Sequence, residues 1–317
     1  MKQSYLHNQI DEVSVGVLLC TYNGEAYLRE QIDSIIAQDY ESWCIYISDD
    51  GSSDRTIEIL NEYQKKLGDD KLKIYQGPRQ GYSWNFLKLL RSVEDKHNYY
   101  ALCDQDDIWL SNKLSRGIEI LSSYNFESPN VYCGRTTLVD EENKIIGFSP
   151  LFKKETSLNN ALIQSIAGGN TMIINKAAAR IINKTPMDCE IVSHDWWIYI
   201  LVSAVGGIVK YDYLSTIHYR QHAQNLVGSN LGFYPRLKRI KGLLCGRFRR
   251  WSQMNIDALS KMHPLLLPES NVVIKKFDEA RKEKFFKRIV LYSKLKLYRQ
   301  TKLGSLALFI AVILNKV

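Results

Sequence analysis

Residues 101–110, ALCDQDDIWL, place Asp104, Asp106 and Asp107 within four positions, after a short apolar run and before a Trp. Like charges at that spacing repel, so the cluster is either a solvated turn that caps a helix or a place where something positive sits. A divalent cation would serve, because its charge offsets the repulsion and it prefers hard oxygen ligands. Mg²⁺ is usually shared between one or two carboxylates and substrate phosphates, which is the ligand supply a short D-x-D provides. D-x-D alone is a weak signal, and Asp107 has the simpler role of a negative charge on the first turn of a helix entered through DIWLSNKL. Two other polar runs have a similar character, TYNGE (21–25) and SDDGSSD (48–54). In the second, Gly51 allows a tight turn and Ser53 or Asp54 can cap a helix. That leaves Asp49 and Asp50, where a carboxylate could accept the imide N–H of a uracil or thymine ring.

The elements that must hold these runs are legible in the hydrophobic pattern. VSVGVLLC (13–20), WCIYIS (43–48), KLKIY (71–75) and YYALC (99–103) read as strands. Between them, apolar residues recur at helical spacing through Leu28, Ile32, Ile35 and Ile36, through Ile57, Leu60 and Leu67, and through Trp84, Leu87, Leu90 and Val93. Alternation at this pitch predicts right-handed βαβ units and a mostly parallel sheet, an α/β chain. Ligands of such sheets bind beyond the carboxyl ends of the strands. TYNGE follows the first strand, DDGSSD the second and DQDD the fourth, so three polar loops share one edge and a site explains them better than chance. From about residue 130 the pattern is less regular, with a hairpin-like LVDEENKIIG followed by further strands and helices of the same domain.

At 317 residues and 45% hydrophobic content the chain can bury one large core or two modest ones, which excludes disorder. Cys20, Cys44, Cys103, Cys133, Cys189 and Cys245 form no C-x-x-C and no zinc spacing, and read as reduced residues of a cytosolic protein. MKQSYLHNQIDEVS lacks the apolar core of a signal peptide, so export is not expected. The net charge of +8 divides sharply: residues 1–232 hold 22 Lys and Arg against 29 Asp and Glu, and residues 233–317 hold 20 against 5. A basic region on an acidic body suggests a phosphate-rich partner, either nucleic acid or an anionic membrane.

VGVLLCTYNGEAYLREQIDSIIAQ, ISDDGSSDRT and ALCDQDDIWLSNKL resemble the family 2 glycosyltransferases, which have the GT-A fold, and especially their bacterial rhamnosyltransferase-like branch. The likeness continues in the same order through GGNTMIIN, HDWWIYI and HYRQHAQNLVG, over roughly residues 13–229. It implies a Rossmann-like catalytic domain over residues 1–232, its central sheet flanked by helices, with a basic helical extension over 233–317. Thr21, Tyr22, Asn23 and Glu25 would then meet the base and ribose of a nucleotide sugar, with Asp49 and Asp50 at the base. Asp104, beside Gln105, would approach the ribose or a metal through water. Asp106 would ligate Mn²⁺ or Mg²⁺, His222 would complete the metal site with His218 as the fallback, and Arg220 would add a cation near the diphosphate. Asp195 falls where the family places its catalytic base; the preceding position, often Glu, is His194 here. Asp195 could instead be only a helix N-terminal charge before WWIYILVSAV. Gly168, Gly169 and Asn170 would line the acceptor side with His194 and Trp196, the small residues allowing close backbone approach.

The implied reaction is inverting transfer of a sugar from a nucleotide diphosphate, dTDP-L-rhamnose or alternatively a UDP-hexose, to an acceptor hydroxyl in bacterial surface glycan synthesis. Such acceptors, lipid-linked or polysaccharide, would place the protein peripherally on the cytoplasmic face of the membrane, giving the basic region its purpose. FYPRLKRIKGLLCGRFRRW (233–251) mixes cations with Phe, Leu and Trp as an interfacial helix does. LGSLALFIAVIL (303–314) is short of the ~20 residues needed to span a bilayer, and either dips into the interface or packs on the body. A nucleotidyltransferase would need a Gly-rich basic loop after the first strand, which TYNGEAYL does not offer. Nucleic acid is not expected as a partner, because an acidic sheet edge repels phosphates.

Overall fold

The computed structural model describes residues 13–222, 242 and 245–317. β1 (Val15–Thr21) and β2 (Trp43–Asp49) are buried along their whole length, as near-continuous apolar strands of a doubly covered parallel sheet must be. They pair in parallel with each other, β1 with β4 (Tyr99–Cys103), and β2 with β3 (Leu72–Gln76). The seven-stranded order is β10-β6-β9-β4-β1-β2-β3, with β6 (Asn130–Gly134), β9 (Ile173–Asn175) and β10 (Ile208–Asp212) on the far side. β9 alone runs antiparallel to its neighbours in this sheet. The expected mostly parallel α/β architecture is therefore the observed one.

Side chains of β1 alternate between two cores, as the period of two requires. Val15, Val17 and Leu19 join Leu28, Ile32 and Ile35 of α1 (Leu28–Ile36), Ile59 and Leu60 of α2 (Thr56–Leu67), and Leu114 and Ile118 of α4 (Lys113–Ser122). Leu18 and Cys20 join Phe86 and Leu90 of α3 (Tyr82–Ser92) and the Trp-rich α7 (His194–Ala204) on the other face. That face is completed by α5 (Leu158–Ala161) and α6 (Lys176–Ile182).

A second sheet, β5-β11-β7-β8, lies at the carboxyl end of β4. It contains the expected hairpin, β7 (Thr137–Val139) with β8 (Ile145–Phe148), and the pair β5 (Ile108–Trp109) with β11 (Ile217–Arg220). Here the structure departs from the expectation that DIWLSNKL enters a helix directly. Ile108 and Trp109 are strand, and α4 starts only at Lys113. Asp107 is therefore not a helix cap.

The C-terminal region is helical: α8 (Arg247–Lys261), α9 (Pro268–Lys282), α10 (Phe285–Lys294) and α11 (Lys302–Ile313). These helices share the α7 core, where Phe248 and Trp251 stack on and against Trp196, with centroids 6.2 and 6.3 Å away. Phe248 and Trp251 of the basic stretch are therefore partly buried by packing on the body. The expected boundary at residue 232 and the rest of the basic stretch, 233–241 and 243–244, lie outside the described residues. Among the described residues, no helix is long and apolar enough to cross a membrane.

Candidate active site

The loops after β1 and β2 are laced together by hydrogen bonds. Asn23 adopts a left-handed φ of 49°, which Asn tolerates. Its Oδ1 accepts the Ser53 N–H and its own N–H donates to Ser52 Oγ, both at 2.8 Å. Gly24 N–H donates to Thr56 Oγ1 at 2.8 Å, and Glu25 Oε2 accepts the Arg55 N–H at 2.9 Å. Buried Asp49 accepts from Thr21 Oγ1 (2.8 Å), the Gly51 and Ser52 N–H groups (3.0 and 2.8 Å) and Ser52 Oγ (2.5 Å). Asp50 accepts the Arg79 and Gly81 N–H groups at 2.5 and 3.0 Å, joining the loop after β3. Asp54 accepts the N–H of Thr56 at 3.0 Å just before α2, whose N-cap position is Arg55; neither Ser53 nor Asp54 is the N-cap residue. Gln105 grips the backbone of Tyr22 twice, Nε2 donating to its carbonyl at 3.0 Å and Oε1 accepting its N–H at 2.8 Å. A Cβ on Gly24 would lie 2.4 Å from that Oε1, so the approach needs glycine. Thr21, Asn23, Glu25, Asp49, Asp50 and Gln105 thus shape the loops through their own hydrogen bonds, while the Tyr22 ring stands exposed above them.

The carboxylate cluster is balanced differently. Asp107 is fully buried, its Oδ2 accepting from Asn170 Nδ2 at 2.7 Å and its Oδ1 from the Arg220 N–H at 3.2 Å. Two fully buried cations stand beside it, Lys113 and Arg220. Lys113 Nζ donates to the Asn170 carbonyl at 3.0 Å and lies 4.7 Å from the centre of the Trp109 ring. Something positive does sit among the aspartates, and part of it is supplied by the protein. Burial pushes the Asp104 carboxyl up to about 8, helped by the charges of Asp106 and Asp195 and opposed by Lys113. Burial likewise raises Asp107, and lowers Lys113 to about 8.

Arg220 was expected near a diphosphate, but its guanidinium is committed elsewhere. It donates to the Asp106 carbonyl (3.0 Å), the Glu141 carbonyl (3.0 Å) and Glu30 Oε2 (2.7 Å), and lies 4.5 Å from the centre of the Tyr27 ring. It holds the backbone of the aspartate loop in place. Because β5 and β11 are antiparallel, the chain leaving β11 returns to that loop and delivers His222, whose Nε2–H donates to Asp106 Oδ2 at 2.8 Å. His218 stays within β11, opposite Ile108. An aspartate oxygen and an imidazole nitrogen in contact suit Mn²⁺ or Mg²⁺ if phosphate oxygens complete the shell. Among the described residues, no group of three His, Cys, Asp or Glu forms a ready-made cage.

Asp195 lies in the first turn of α7, at the positive end of that helix. Its charge is felt at both Asp104 and Tyr82, raising the pKa of each behind the larger effect of burial. His194 beside it is buried, stacked on Phe86 at 4.2 Å and edge-on to Tyr82 at 5.7 Å. Neither of its ring nitrogens has a hydrogen-bond partner, and burial lowers its pKa to about 4. A Cβ on Gly169 would lie 2.1 Å from His194 Nε2, so the Gly168–Gly169–Asn170 turn closes onto the imidazole at one end and onto Asp107 at the other. Trp196, expected on the acceptor side, points instead into the α7 core and donates Nε1–H to the Ala161 carbonyl at 2.7 Å.

Sequence reasoning missed Lys113, hidden inside the SNKL of its own motif, and Arg79. A cleft of ≈ 310 Å³ at the ends of β2 and β3 is lined by Asp49, Gly51, Ser52, Ile74, Tyr75 and Arg79, among others. GPRQG follows the third strand at the same sheet edge, and that position was the available signal.

A mostly parallel sheet whose loops are hydrogen-bonded together at one edge, with a D-x-D in contact with a late histidine, has the GT-A fold. The sequence model of Glycosyl transferase family 2 matches residues 16–182, and the chain belongs to that family, in its rhamnosyltransferase-like branch. It is 31% identical over 246 residues to the dTDP-rhamnosyl transferase RfbG of Shigella flexneri, covering 73% of this chain and 81% of that protein. An uncharacterized glycosyltransferase of Rickettsia typhi, RT0329, is 28% identical over 200 residues, 60% of each chain. Among solved structures, S. aureus TarS 1–349 in complex with UDP superposes with a TM-score of 0.56 at 16% identity, over 96% of this chain and 88% of that one. GalNAc-T7 with UDP, GalNAc and Mn²⁺ gives 0.50 at 12%, over 72% and 48%. These structures share the fold; the chain is a glycosyltransferase.

Proposed function

We propose that the enzyme transfers L-rhamnose from dTDP-L-rhamnose, with inversion, to a hydroxyl of a lipid-linked or polysaccharide acceptor in bacterial surface glycan synthesis. The observation that carries the reading is the contact of His222 with Asp106 in the aspartate loop, 2.8 Å, with Asp195 near enough for its charge to act on Asp104. The likeness to RfbG favours a dTDP-rhamnose donor over the UDP-hexose alternative. Thr21, Asp49 and Asp50 keep the nucleotide loops in shape, and the cleft beside Arg79 offers room for the base. Asp106 and His222 would hold Mn²⁺ or Mg²⁺, which supplies positive charge for the departing diphosphate. Asp195 takes the acceptor hydroxyl proton as that oxygen bonds to the anomeric carbon and the bond from that carbon to the diphosphate oxygen breaks. A single displacement inverts the centre. The acceptor places residues 1–232 at the cytoplasmic membrane face as the catalytic part, with residues 233–317 associating with the membrane.

Asp195→Asn is expected to lower turnover by roughly 10²-fold or more, the usual contribution of a general base. Affinity for the donor should stay within error, since the nucleotide loops do not involve Asp195. Calorimetric titration with dTDP-rhamnose and with a UDP-hexose, run beside an acceptor-dependent rate assay, measures both. Near wild-type turnover would remove Asp195 from the role, and tighter binding of the UDP-hexose would replace the donor.

A further inference from the structure

We propose that the outward face of α10 and α11 is the surface on which this protein seats against an anionic bilayer. α11 buries Leu308, Ala311 and Val312 against the body and turns Leu303, Leu306, Phe309, Ile310 and Leu314 to solvent. Leu303, Leu306 and Phe309 are three apart, and Leu306, Ile310 and Leu314 four apart, so the five form one continuous stripe. Leu303 is 80% exposed, and on α10 Phe286 is 82% exposed with Val290 four residues on at 51%. A soluble surface rarely concentrates apolar side chains in this way without a partner.

The charge around the stripe identifies the partner. Residues 284–317 contain eight Lys and Arg and no Asp or Glu. Lys284, Lys294, Lys296 and Lys302 are exposed, as is Lys287, which pairs with Glu283. Exposed apolar side chains on helices that also carry exposed lysines are the composition of an interfacial helix on anionic lipid. At twelve residues, or about 18 Å, α11 is too short to span, and its buried side already has partners.

The two helices are also firmly attached. Arg288 is buried and donates from Nε to the Val312 carbonyl at 2.8 Å and from Nη2 to the Ile313 carbonyl at 3.0 Å, tying α10 to the end of α11. Asn159 Nδ2 donates to the Leu295 carbonyl at 2.6 Å, and the Gln300 N–H donates to Gln164 Oε1 at 2.9 Å, tying both to the catalytic body. Seating this face would hold the active site at a set height above the lipid. The inference rests on the reading of the acceptor as lipid-borne, and names a different surface from the basic stretch at 233–251.

The test is flotation of the full chain with phosphatidylglycerol/phosphatidylcholine vesicles and with phosphatidylcholine alone, at low and high salt. Donor hydrolysis is read from the same samples. Wild type should float with the anionic vesicles only and be released by salt. The Leu303→Glu/Phe309→Glu double variant should bind at least about tenfold more weakly, from the loss of two inserted apolar side chains, with hydrolysis unchanged. Phe286→Glu on the other helix should act in the same direction. Equal flotation of variants and wild type would overturn this surface while leaving the membrane reading intact. No flotation of wild type, with hydrolysis preserved, would overturn the surface and the lipid-borne acceptor together but not the transferase. Dimers in light scattering that the double variant dissociates, without vesicle binding, would make the face a self-association site instead.

Discussion

The two ends of the catalytic edge solve the same problem in different ways. In the loop after β2, Asp49, Asp50 and Asp54 are stabilised almost wholly by N–H and hydroxyl donors from their own and adjoining loops. At the cluster end, buried Lys113 lies near Asp104 and Asp107, and Arg220 gives its backbone N–H to Asp107 and its guanidinium to the Asp106 carbonyl. Hydrogen-bonded turns leave an aspartate local and cheap to place. Three carboxylates packed into four positions exceed what local donors can serve, so the fold brings a charge from α4 and donors from β11.

The comparison can be broken at either end. The largest effect is expected at Asp106, the aspartate paired with His222. Asp106→Asn should cut metal-dependent transfer by about 10³-fold or more, the several kcal/mol attributed to a catalytic metal. Its melting temperature should not fall, because Asp106 raises the pKa of both Asp104 and Asp107 and its removal relieves them. Rate assays with Mn²⁺, Mg²⁺ and EDTA, beside thermal melts, separate the two readouts; full activity in EDTA would remove the metal from the mechanism.

Lys113→Met tests the buried counter-charge. Removing one partner from a buried charged group typically costs roughly 3–5 kcal/mol, to be read from urea unfolding. A loss under about 1 kcal/mol, the scale of an exposed ion pair, would show that Arg220 and solvent suffice. Asp49→Asn should show the smallest effect, about 1–2 kcal/mol, since it keeps the shape of the turn and loses one acceptor among several donors. If Asp49→Asn proved the more damaging of the two, the contrast between local and long-range compensation would be reversed.

Much of this organisation was readable without coordinates. The strand-helix alternation placed TYNGE, DDGSSD and DQDD at one edge because a parallel sheet leaves its ligand loops at the carboxyl ends of the strands. Residues within a loop were also readable, as with the turn at Gly51, whose φ is 100°. Errors came where a residue's partner was distant in sequence. Asp107 had the credentials of a cap, but β5 intervened before α4, and its oxygens went to Asn170 and Arg220. Arg220 had the charge for a phosphate, yet its donors were claimed by Asp106, Glu30 and Glu141.

The sequence by itself therefore determined the family, the α/β order and the polar character of each loop, because hydrophobic period and turn chemistry are local properties. Only the tertiary structure decided which charges neutralise the aspartates, which histidine reaches Asp106 and which face of α11 remains apolar and open. Each of those depends on strand register and packing between segments 57 to 190 residues apart, and burial changes what a given charge costs far more than its neighbours in the chain do.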